Sequence, residues 1–191
     1  MAAAGLEELR DRAKSNPYWY QLALDSALDR QAGDEEMDRL FAAGARDFPD
    51  YLPIYSSRLR ALMPRWSGTI EGVEAFIHEA SAQHPGRLSP DERYAVLYAL
   101  YLRLEEDAIN VFAAGNADWP RIQDGFLALR RRYPRSDLIL NQFAKFSCMA
   151  GDEQQYRQLR PYIEDRWSST AWSETKSVQK CDAMFAAAAG A

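Results

Sequence analysis

Three apolar stripes with helical spacing run into a proline in this chain, and the positions before each proline match. Eight residues before Pro49, Pro85 and Pro134 stand Phe41, Ile77 and Phe126, and twelve residues before them stand Met37, Val73 and Ile122. Apolar residues at i and i+4 mark one face of a helix. Proline ends that helix by removing a backbone donor and by disfavouring the helical region for the residue before it. A chain punctuated in this way is committed to helices of limited length, each with one face to bury. Glycines keep a second count: Gly33, Gly68, Gly115 and Gly151 are separated by 35, 47 and 36 residues. Each reads as the turn inside a pair of helices, with the prolines between pairs.

In chain order, Glu7 to Lys14 suggests a short first helix, and Asn16-Pro17 an N-cap followed by proline at the first helical position. Tyr20, Leu24, Ala27, Leu28 and Gln31 then share a face up to Gly33. Asp34, Glu35 and Glu36 open the next helix, where acids complement the dipole and fan apart too widely to gather a metal. Its stripe is Met37, Leu40, Phe41, Gly44 and Phe48. Leu52, Tyr55, Leu59 and Leu62 point inward from the third helix, which Pro64 stops; Trp66, at the bend before Gly68, is expected to wedge between the two helices it joins. After Ile70 to Pro85, Ser89, Pro90 and Glu92 form a capping box. The helix it opens is apolar on most sides through Tyr94, Leu97, Tyr98, Tyr101, Leu102 and Leu104, and is expected to be the central element. Three more helices begin at Asp118, Ser136 and Asp152, with Pro161 kinking the last; 168–191 is a final helix or tail.

The chain of 191 residues, 47% hydrophobic, is long enough for one good core. A net charge of -5 argues against a nucleic-acid partner. No apolar run reaches the ~18 residues of a membrane span. Met1 to Gly5 lacks the pattern of a signal peptide, so the expected compartment is the cytoplasm, with an exported protein whose leader has been removed as the alternative. Cys148 and Cys181 have no CxxC spacing, so neither a zinc site nor a disulfide framework is expected, while one bridge stays open.

The glycine intervals of 35 and 36 lie close to the period of about 34 residues of tetratricopeptide repeats. Leu24, Phe41 and Pro49 fall where that family's pattern has leucine, an aromatic residue and the terminal proline; Gly44 stands where alanine is usual and Asp25 where a small residue is. Residues 16–167 therefore resemble a degenerate tetratricopeptide array, within a single domain that has an N-terminal extension over 1–15. The resemblance implies an all-α fold of antiparallel helix pairs stacked in a short right-handed superhelix. Phe48-Pro49, Pro64-Arg65-Trp66-Ser67-Gly68, Phe76 and Cys148-Met149-Ala150-Gly151-Asp152 also resemble a bacterial family of unknown function. That family is built on such repeats and marked by a Pro-Arg-Trp-Gly-Gly stretch, in which Ser67 here replaces the first glycine.

Catalytic motifs are missing from the sequence. His78 and His84 lie about 600° apart round a helix and so on different faces, which disfavours joint metal binding, and no cofactor is expected. Glu105, Glu106 and Asp107 read as a solvated helix end, and Arg130, Arg131 and Arg132 as cations matched to a helix C-terminus. What remains is a set of aromatic and arginine residues of the kinds enriched at binding hot spots: Tyr18, Trp19, Tyr55, Arg58, Arg65, Trp66 and Trp119. The expected function is non-catalytic binding of a protein or peptide, without nucleic acid or membrane. An acidic, immunity-type protein that neutralises a toxin is the alternative. An enzyme with a pocket near His78 or His84 ranks below both.

Overall fold

The computed structural model describes residues 15–83, 86–105, 109–172 and 175–188, and every regular element among them is helical. The expected helix over Glu7 to Lys14, together with His84, Pro85, Glu106 and Asp107, lies outside the described residues. The helices are α1 (Pro17–Asp29), α2 (Asp34–Asp47), α3 (Leu52–Leu62), α4 (Ile70–Gln83), α5 (Pro90–Leu104), α6 (Trp119–Arg132), α7 (Asp137–Met149), α8 (Glu153–Ile163) and α9 (Thr175–Ala188). A 3-10 turn, Pro64–Trp66, joins α3 to α4. The chain divides into two compact units, Met1–Ser89 and Pro90–Ala191.

Local chemistry sets the helix starts. Asn16 caps α1 by accepting from the Tyr18 N–H at 3.0 Å, Asp118 caps α6 through Arg121 N, and Ser136 caps α7 through Ile139 N. Pro17, Pro53, Pro90 and Pro120 all sit in a first turn, where the missing donor costs nothing. Gly33, Gly68, Gly115 and Gly151 fall in the connections α1–α2, α3–α4, α5–α6 and α7–α8, while Pro49 and Pro134 fall in the connections α2–α3 and α6–α7.

In the first unit α1 packs on both α2 and α3, α2 on α3, and α3 on α4. The matched positions Met37, Phe41, Val73 and Ile77 are all buried, with Leu24, Ala27, Ile54, Leu59 and Met63 around them. Each of these side chains other than Ala27, taken fully from water, contributes about 1.5–3 kcal/mol. Gly44 lets α2 come close: a Cβ there would stand 3.0 Å from Tyr20 and 3.1 Å from Ile54, so tyrosine fills the space that alanine would take.

In the second unit α5 pairs with α6, α6 meets α7, and α7 pairs with α8. α5 is mostly buried, as its pattern suggested, and Gly125 of α6 approaches it so closely that a Cβ would lie 2.2 Å from the Asp91 carbonyl oxygen. Phe126 stacks on Phe143 with centroids 5.5 Å apart. Glu92 is buried and takes the Arg132 guanidinium at 3.0 Å, so one arginine of the basic run ties α6 to α5. Residues beyond α8 are fastened by Asn141, whose Oδ1 accepts from the Trp172 indole at 3.0 Å and whose Nδ2 donates to the Arg166 carbonyl at 2.7 Å. Lys145, also buried, donates to the Ala171 carbonyl. The C-terminal stretch includes a packed helix: Cys181 of α9 is bridged to Cys148 of α7, and Tyr156 and Arg160 of α8 both bond Asp182.

Candidate functional site

The turn from Met63 to Gly68 builds one lip of a cleft. Met63, extended at ψ 150° before Pro64, ends α3 and buries its side chain. Its carbonyl then accepts from Trp66 N at 2.8 Å and Gly68 N at 3.1 Å. Ser67 takes the left-handed conformation at φ 73°, the region glycine favours. Gly68 is needed for a different reason: a Cβ there would sit 1.9 Å from the Leu62 carbonyl oxygen. Thr69 accepts from Gly72 N at 3.0 Å and starts α4.

Trp66 does not wedge between α3 and α4. It is 43% exposed, because the tight turn throws its ring outward while Met63 fills the bend. Arg65, also exposed, reaches back to the Met63 sulfur at 3.7 Å.

The other lip is the α1–α2 turn, with Gln31, Gly33 and Asp34. Between the lips lies a cleft of about 700 Å³, into which Arg58, Arg65 and Trp66 also face. The volume falls within the range of about 300–1,000 Å³ usual for ligand sites. Arg58 supplies a buried charge: it is 5% exposed, donates to Asp38 at 2.7 Å, and lies 3.9 Å from Asp34, itself almost fully in water. Its Nε is buried without a hydrogen-bond partner among the described residues. At the same turn Glu36 is held below the usual carboxylate range, chiefly by its hydrogen bond from Arg30. Arg65 and the exposed Trp66 indole therefore stand on one lip, Asp34 on the other, and the buried Arg58 lines the cleft from α3. Such a surface suits a segment carrying an apolar side chain and charges of either sign.

The remaining candidates from the sequence divide by burial. Tyr18 is 51% exposed at the start of α1. Trp19 and Tyr55, expected among partner-binding residues, are buried instead. Trp19 sits edge-on to Tyr20 at 4.9 Å, and the Tyr55 hydroxyl donates to the Pro49 carbonyl at 3.0 Å, so both serve packing. Trp119, half-buried in the second unit, donates its indole N–H to Asp152 at 3.1 Å and packs near Phe112 and Phe143. Sequence reasoning missed Gln31, Asp34 and Ser67 as cleft residues, since nothing along the chain announces that two successive turns line one space. His78 is exposed on α4. No group of three or more His, Cys, Asp or Glu among the described residues is placed to hold a metal ion, and no described helix is long and apolar enough to cross a membrane.

No protein-family model, curated protein or solved structure matches this chain.

Proposed function

We propose that this chain is a tetratricopeptide-like helical repeat that binds a protein or peptide and performs no catalysis, its helix pairs following one another in a short right-handed superhelix. The observation that carries the proposal is the first unit's cleft, where two successive intra-pair turns bring an exposed tryptophan, an exposed arginine and a buried arginine to one concave surface. Tryptophan and arginine dominate binding hot spots because each combines a large contact area with directional polar groups. The Cys148–Cys181 bridge supports work in an oxidising compartment, which favours the exported alternative over the cytoplasm.

The test compares tagged wild-type chain with Trp66→Ala and Arg65→Ala as bait in extracts of the source cell, with mass spectrometry of what is retained. The proposal expects at least one protein held by the wild type and reduced about tenfold or more on Trp66→Ala, with the melting temperature unchanged. Identical capture by all three, or turnover of a small-molecule substrate by the purified chain, would overturn it.

A further inference from the structure

In the second unit α6 and α8 leave between them an open groove of about 580 Å³ whose floor is Phe143 and Leu159, both buried. Its edges carry Leu127, Arg130 and Arg131 on α6, and Gln155, Gln158 and Tyr162 on α8. Tyr162 is 58% exposed. Several other arginines of this unit have carboxylates: Arg121 has Asp91 at 2.7 Å, Arg132 has Glu92 at 3.0 Å, Arg160 has Asp182 at 2.9 Å and Arg166 has Asp137 at 2.6 Å. Arg130 has none among the described residues, although it is half-buried. Burial, and then the repulsion of Arg166, hold its guanidinium below the ordinary arginine range. A cation partly withdrawn from water without a counter-ion is costly, and a carboxylate arriving at it would form a charge-assisted, bidentate pair.

The exposed apolar lining narrows what would bring that carboxylate. A bare anion would use Arg130 and leave the exposed Tyr162 ring and the part-exposed Leu127 uncovered. A peptide with an acidic residue beside a large apolar one would use both. Gln155 is oriented by Gln123 at 3.4 Å and in turn donates to Gln158, whose own amide N–H groups have no partner among the described residues and suit a peptide carbonyl.

We propose that this groove docks a short acidic segment of a protein partner, with a glutamate or aspartate on Arg130 and a neighbouring large apolar side chain against the Tyr162 ring and Leu127. The proposal deepens the reading of the chain as a peptide-binding repeat and rests on it, at a surface separate from the cleft of the first unit.

The experiment selects random dodecapeptides, displayed on phage, on the oxidised full-length chain, then titrates the most enriched peptide in fluorescent form. The expected consensus places Asp or Glu next to Leu, Ile, Phe or Trp. Arg130→Gln weakens that peptide about tenfold, Arg130→Lys weakens it less, and added salt weakens binding to the wild type. Trp66→Ala leaves it unchanged. An unchanged thermal melt shows that Arg130→Gln is folded. No enrichment, a neutral or basic consensus, or equal affinity for Arg130→Gln would overturn the proposal. So would competition by inorganic phosphate alone as effective as that by unlabelled peptide, because it would mark a bare-anion site. Partner capture that depends on Trp66 but not on Arg130 would overturn this groove and leave the first cleft standing; the reverse pattern would do the opposite.

Discussion

Ser67 holds a backbone conformation, φ 73°, that costs an L side chain about 1–2 kcal/mol and glycine almost nothing. Part of that gain is offset by the greater freedom glycine has in the unfolded chain. Ser67→Gly is therefore expected to stabilise by about 0.5–1 kcal/mol, visible as a rise of about 1–4 °C in Tm. Gly68→Ala is expected to destabilise by more than that, since its Cβ would fall on the Leu62 carbonyl. Equal effects of the two substitutions in denaturant melts would contradict the described turn. Tyr156 and Asp182 give a second residue-level prediction. Burial alone would raise Asp182, yet hydrogen bonds from Arg160 and Tyr156 outweigh it and hold the carboxyl below its usual range. A depressed carboxylate stabilises the fold above its unfolded pKa, and that contribution is lost as pH falls through the folded value, below about 4. Tyr156 is raised above the usual phenol range by burial first and by Asp182 second, so its contribution holds below its unfolded pKa of about 10 and is lost as pH rises beyond. Melting temperature followed against pH is expected to lose part of its acid-side fall in Asp182→Asn and part of its alkaline fall in Tyr156→Phe.

Helices and their limits were largely legible from the chain, because caps, prolines and i, i+4 stripes act over a few residues. The matched stripes before Pro49 and Pro134 are buried as their spacing implied, and Asn16, Asp118, Ser136 and Asp152 all cap the helices they precede. α9 was harder to read, since alanine-rich sequence favours a helix without saying whether it packs. Its packing depends on Val178, Cys181 and Phe185 meeting α7 and α8, and on the bridge to Cys148. Closing a loop of 33 residues restricts the unfolded chain by an amount worth about 3–4 kcal/mol. Cys181→Ser, or reduction of the wild type, is accordingly expected to lower the melting temperature and to raise amide exchange first in α9. Intact mass before and after reduction and alkylation reports the bridge directly.

At the scale of the molecule, the second unit contains its own buried aromatic cluster, its own disulfide and the Asn141 and Lys145 anchors. Residues 90–191 expressed alone are expected to give a helical circular dichroism spectrum and a cooperative melt; a flat, non-cooperative melt would count against self-sufficiency. By itself the sequence determined helices throughout the described residues and the caps and prolines that bound them, because propensity, capping and hydrophobic period are properties of neighbours along the backbone. Only the tertiary structure decided that Trp66 lies open while Trp19 and Tyr55 are buried, that Cys148 meets Cys181, and that Arg132 is matched while Arg130 is not. Those outcomes depend on which side chains from distant helices occupy the same space, and a ring or a charge carries no sign of that in its own stretch of chain.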